Sequence, residues 1–147
     1  MNSKGLYLKE FETANCGAGF ICNLHGKKSH SIIHDALEIL VKLEHRGAVG
    51  SDGKTGDGAG ILIDIPHDYF KRVCSFNLPK PSEYAVGMLF LPKSRNQFEY
   101  CKEKLETELA KQDLQVLGWR RVPVNTSYLG KIAAKSEPNI YQLFITK

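Results

Sequence analysis

The run Tyr84 to Leu91, YAVGMLFL, holds no charged residue and is rich in residues that favour extended backbone. A strand of that composition is apolar on both faces, so it needs cover on both. The chain is therefore expected to build layers, with helices lying against a sheet. The rest of the pattern agrees. Ser29 or Ser31 can cap a helix running to about Glu44, and Ile33, Ala36, Leu37, Leu40 and Val41 recur on one face of it, which is expected to meet a sheet. Ser94 opens a second helix of about 18 residues, with Phe98, Cys101, Leu105 and Leu109 on one stripe. A short amphipathic helix is expected over residues 67–76.

Further strands are expected at Cys16 to Asn23, Ile61 to Ile65, Val116 to Val122 and Ile140 to Thr146. Pro66 ends the second of these, since proline donates nothing to a ladder. His25-Gly26-Lys27-Lys28 reads as a turn. The alternation of helices and strands permits an α/β layered fold. The sequence stops inside the apolar run IYQLFIT, which gives the expectation of a segment of something longer.

Charge narrows the function classes. Lys plus Arg number 20 against 16 Asp plus Glu, and the basic residues are scattered rather than gathered into an arm or stripe, so no nucleic-acid partner is expected. No apolar run approaches the roughly 20 residues of a membrane span. Residues 1–15 are polar and lack the apolar core of a signal peptide, which points to the cytoplasm. Cys16, Cys22, Cys74 and Cys101 show no C-x-x-C spacing, so no metal site is expected. Cys22, Cys74 and Cys101 read as small buried apolar side chains.

The stretch Gly47 to Gly60 holds glycines at 47, 50, 53, 56, 58 and 60. Gly53-Lys54-Thr55 resembles the end of a phosphate-binding loop, but that motif needs glycine at position 48, which is Ala, and a following helix. The loop reads instead as one whose glycines allow positive φ and close backbone approach. Asp52, Lys54 and Asp57 read as residues that shape it or meet another domain, not as catalytic ones.

Cys16 has one chemical option that the other cysteines lack. With residues 1–15 removed, it would carry its own α-amine, whose reference pKa of about 7.7–8.0 leaves an appreciable neutral fraction at pH 7. Such an amine can take the thiol proton, so one residue would be nucleophile and base. Gly17 and Gly19 leave room beside the sulfur.

The run Cys16-Gly17-Ala18-Gly19-Phe20 resembles the mature N-terminus of class II glutamine amidotransferases, which are N-terminal nucleophile hydrolases. Leu43-Glu44-His45-Arg46-Gly47 resembles their H-R-G segment. Ser51 to Gly60 (SDGKTGDGAG), Tyr84 to Leu91 and Gly118 to Val124 (GWRRVPV) are similar to the N-terminal region of the glutamate synthase large subunit, in the same order. The likeness covers nearly the whole chain from Cys16.

This resemblance implies a propeptide at 1–15 and the N-terminal part of an amidotransferase domain at 16–147. The implied fold is α+β, a four-layer αββα sandwich with mostly antiparallel strands and only its N-terminal portion present. The implied reaction is hydrolysis of L-glutamine to glutamate and ammonia, with Cys16 as nucleophile and Arg46 positioning the substrate or the cysteine. Alternatively, Arg46 is a helix-end cation, with Gly47 as C-cap. His45 reads as a packed residue at the helix end. In the full-length family the ammonia passes to 2-oxoglutarate, with FMN, a 3Fe–4S cluster and electrons from NAD(P)H or ferredoxin. None of those cofactors is expected in this segment. The expected partners are the remainder of the large subunit and a small subunit.

The chain departs from the family in two places. The family binds the substrate carboxylate through an H-x-R-type segment and builds its oxyanion hole with Asn-Gly; neither pattern occurs here. Losing one oxyanion donor costs roughly 10²–10³ in rate. Two readings follow: the opening segment of a glutaminase, inactive in isolation, or a non-catalytic amidotransferase-like module that serves interaction or regulation.

Overall fold

The structure is a computed structural model that describes residues 17–147. Cys16 and the expected leader at 1–15 lie outside the described residues. The chain divides into two units, Met1–Leu62 and Ile63–Lys147.

The first unit is organised around helix α1, His30–Lys42. Ser29 starts it from extended backbone and its side chain accepts from the Ser31 amide at 3.1 Å, which satisfies one of the orphan donors of the first turn. Lys42 in the last turn suits the negative end of the helix dipole. The helix ends by tightening: Glu44–Arg46 forms a 3₁₀ turn, and the Gly47 amide donates to the Glu44 carbonyl at 3.0 Å. Gly47 has φ −94°, so the expected glycine cap is not a left-handed one. Before α1, Asn23 holds the anticipated turn, its carboxamide oxygen accepting from the His25 and Lys27 amides. Gly26 there takes φ +67°, which glycine adopts without a Cβ clash.

The second unit holds an antiparallel sheet of three strands, β1 (Ala85–Leu91), β2 (Gln115–Arg121) and β3 (Asn139–Thr146), in the order β1-β3-β2. Both outer strands run antiparallel to β3, so β1 and β2 are parallel to each other, and helix α3 (Arg95–Ala110) connects them. This is a split βαβ arrangement with β3 slotted between its strands. Helix α2, His67–Val73, precedes the sheet.

Each face of the sheet has its own packing. Phe144 is fully buried on one face and is met edge-on by Phe70 at 5.0 Å and by Phe76 at 5.2 Å between ring centroids. Tyr84 and Val86 from β1 and its lead-in close that cluster, with Cys74 against it. On the other face Leu91 and Leu143 are buried. There Phe98 of α3 lies 5.1 Å from the Tyr141 ring, and the Trp119 indole N–H donates to Glu106 at 2.7 Å. The α3 stripe of Phe98, Cys101, Leu105 and Leu109 is half-buried, as the periodicity predicts.

Four expectations need correction. First, β1 is not covered on both faces: Met88 is 50% and Phe90 is 65% exposed. Residues opposite each other in register share a face, so Val86, Met88 and Phe90 lie on the Phe144 side. Helix α2 has 7 residues, roughly 10 Å of length at ~1.5 Å per residue, against roughly 23 Å for a strand of that count. It covers one end of that face only. Second, among the described residues no ladder forms at 17–23 or 61–65. A strand exists only where a partner edge takes its hydrogen bonds; apolar character alone does not make one. Leu62 and Phe20 are both exposed there. Third, Cys22 is exposed rather than buried, while Cys74 and Cys101 are half-buried. Fourth, the apolar face of α1 is not wholly covered: Leu37 and Val41 are exposed.

Candidate functional site

Everything the sequence singles out for chemistry falls in the first unit: the segment after Cys16, the Glu44–Arg46 turn and the glycine-rich loop. Their placement follows from small residues. A Cβ on Gly17 would lie 3.3 Å from the Cβ and Cγ of Arg46 and 3.2 Å from Leu43 Cδ2. A Cβ on Gly19 would lie 2.7 Å from Ile39 Cγ2. Gly17 and Gly19 thus let the backbone run directly against the C-terminal half of α1. Arg46, twenty-nine positions on in the chain (46 − 17), is brought beside the residue that follows Cys16.

Arg46 is exposed, and its amide donates to the Leu43 carbonyl at 2.8 Å. Its backbone is therefore fixed by the 3₁₀ turn while its side-chain stem lies along Gly17. His45 is also exposed, and its Nδ1–H donates to the Lys42 carbonyl at 2.9 Å. It serves the carbonyl end of α1 and is not the packed residue the sequence suggested.

The loop that follows bonds to itself. Val49 and Gly56 form an antiparallel bridge. The Gly50 amide donates to the Thr55 carbonyl at 2.6 Å, and Gly53, at φ +69°, donates to the Gly50 carbonyl at 3.0 Å. Asp52 organises the tip: Oδ1 accepts from the Lys54 and Thr55 amides, and Oδ2 accepts from the Thr55 hydroxyl at 2.6 Å. Asp57 closes the base, taking the Ala48 amide on Oδ2 at 2.9 Å. Asp52 and Asp57 shape the loop, as their chemistry suggests. The amides of Gly50, Gly53, Lys54 and Thr55 are spent inside it, so they do not form the outward cradle that a phosphate needs.

The second unit offers less. A cavity of about 340 Å³ beside Phe90 and Pro138 carries the Lys93–Glu137 ion pair at 2.6 Å. On the other strand edge, Arg120 donates to Gln142 at 2.7 Å and to the Tyr69 hydroxyl at 3.1 Å, and lies over the Tyr69 ring. That network joins α2 to the sheet. Burial raises the Cys74 thiol above its ordinary value, with Arg120 opposing the shift. Among the described residues no three His, Cys, Asp or Glu side chains converge on a metal-sized site, and no helix is long and apolar enough to cross a membrane.

Sequence reasoning named Cys16 and Arg46 but missed how Gly17 meets Arg46. The only signal for that contact was the pair of glycines flanking Ala18, which marks close approach without saying to what.

Comparison with known proteins places this arrangement. Residues 16–147 match the family described as glutamine amidotransferases class-II. The chain is 41% identical over 144 residues to the large chain of an NADPH glutamate synthase of Bacillus subtilis, covering 97% of this chain and 10% of that protein. It is 44% identical over 149 residues to an NADH glutamate synthase of Saccharomyces cerevisiae, covering 96% of this chain and 7% of that one. A ferredoxin-dependent glutamate synthase of Arabidopsis thaliana, chloroplastic/mitochondrial, is 42% identical over 137 residues, covering 91% and 8%. The chain thus spans a tenth or less of the length of these relatives. It belongs to the class-II glutamine amidotransferases, and these relatives are glutamate synthases.

Proposed function

We propose that residues 16–147 are the opening part of the glutaminase domain of a glutamate synthase, acting on L-glutamine through Cys16, with residues 1–15 removed as a propeptide. The observation that carries this reading is the family match, which begins at Cys16 itself. The approach of Gly17 to Arg46 supports it, because it sets the stem of Arg46 beside the residue next to Cys16.

The chemistry runs as follows. The Cys16 sulfur attacks the side-chain carboxamide carbon of glutamine. The Cys16 α-amine takes the thiol proton, directly or through water, and returns a proton to the leaving ammonia. A thioester forms, and water attacks it to release glutamate and restore the thiol. Arg46 acts through position, holding the Cys16 turn or the glutamine-binding loop. The surrounding fold is the four-layer αββα sandwich, of which this chain supplies the first elements.

In the full-length protein the ammonia would combine with 2-oxoglutarate, using FMN, a 3Fe–4S cluster and electrons from NAD(P)H or ferredoxin. We assign that chemistry to other parts of a large subunit, with a small subunit as a further partner. The compartment proposed is the cytoplasm.

The absence of an H-x-R segment and of Asn-Gly favours a second reading for this chain by itself, a module without turnover. Ammonia release from glutamine separates the two. The 147-residue chain should release none. A polypeptide extended through an H-x-R segment and an Asn-Gly pair should release it, and Cys16→Ala should abolish that release. Turnover that survives Cys16→Ala would overturn the proposal, and an extended chain that never turns over glutamine would leave the module reading in its place.

A further inference from the structure

Segment 17–19 meets α1 and its terminal turn at two points. Gly17 lies at Leu43 and Arg46, and Gly19 lies at Ile39, so the segment runs along the helix in the opposite sense. The spacings agree. Two residues of extended chain span at most about 7 Å, and four helical residues rise about 6 Å. One glycine therefore meets each turn.

The two contacts differ in stiffness. The Leu43 atom that an added Cβ on Gly17 would meet is the far end of a side chain, which can turn away. On Gly19 the added Cβ would lie 2.7 Å from Ile39 Cγ2. That methyl is bonded to the Cβ of a β-branched residue, which keeps one strongly preferred χ1 in a helix, so it does not swing aside. Gly19 is not among the residues with positive φ, so it is glycine for want of space and not for its backbone angles. Carbon atoms pack at about 3.5–4.0 Å. A single methyl at position 19 would push the segment off α1 by the better part of an ångström.

We propose that Ile39 is a positioning residue for the glutaminase reaction. Through Gly19 it sets how far the segment leading to Cys16 stands from α1, and so where the Cys16 sulfur meets the glutamine carboxamide. The inference rests on the glutaminase reading above. Ile39 is assigned no contact with substrate and acts through the backbone of 17–19.

The test compares Gly19→Ala with the double variant Gly19→Ala/Ile39→Ala in the polypeptide made from the full reading frame, by ammonia release from glutamine. An electrophilic glutamine analogue that alkylates Cys16 counts the competent sites, so rates are read per site. Gly19→Ala is expected to keep the wild-type number of sites while kcat and kcat/KM fall together, by about 10²-fold, as for a misplacement of about 1 Å. The double variant should regain most of that loss, since the Cβ of residue 39 lies 4.0 Å from the added methyl. Three results would overturn the proposal and leave the glutaminase reading standing: an unchanged kcat in Gly19→Ala, a loss of alkylated sites in proportion to the loss of rate, or a double variant no faster than the single one. A wild-type polypeptide that releases no ammonia would overturn both.

Discussion

At the residue scale, side-chain volume decides more than charge does. A Cβ on Gly118 would fall inside the Phe76 ring, which packs on the Phe144 cluster. Gly118→Ala should therefore act as overpacking and cost about 1–3 kcal/mol. Urea denaturation would read this, and Phe76→Leu in the same chain should recover part of the loss. Cys74 makes a second prediction. Burial favours its neutral thiol, so its pKa is raised in the folded chain and ordinary in the unfolded one. The thiol form is what the fold holds, so its contribution to stability is full below the ordinary thiol pKa and is lost as pH rises through the raised one. In alkylation at mildly alkaline pH, exposed Cys22 should react well before Cys74, and Cys74 should catch up on addition of denaturant. Equal rates in the native chain would contradict this account.

At the element scale, the sequence was legible where one element sufficed to make its own pattern. Helix α1 is capped by Ser29 as its chemistry allows, and α3 half-buries the stripe that its spacing marks. Strands β1, β2 and β3 appear within a residue or so of their apolar runs. The failures share a cause. Residues 17–23 and 61–65 are apolar enough for strands, but pairing is a property of two segments, and a single run does not name its partner. Cover for Met88 and Phe90 failed in the same way, because the reach of α2 depends on its length and docking angle, neither of which YAVGMLFL encodes. At the site, the reading of Cys16 and Arg46 rests on chemistry and resemblance, while the contact of Gly17 with Arg46 depends on how α1 ends. The Asp52 loop makes the element-scale prediction. Asp52→Ala removes three acceptor contacts at the tip, so amides of residues 48–57 should exchange faster with solvent. The change should stay local, leaving exchange in β1 and β3 as it was; a global acceleration would mean that the loop does more than hold itself.

At the scale of the whole molecule, the class-II amidotransferase match runs through both units, from residue 16 to residue 147. The first unit carries the described residues next to Cys16, and the second carries a split βαβ sheet. Both the glutaminase reading and the module reading share this scaffold, and the glutaminase reading requires one chemical condition at Cys16. With residues 1–15 attached, the Cys16 nitrogen is an amide and cannot accept the thiol proton. With them removed, it is an amine that can. The most direct measurement is the intact mass and N-terminal residue of the protein made in cells from its full reading frame. The account predicts a chain that starts at Cys16; a chain that keeps residues 1–15 would contradict it and leave Cys16 without its base.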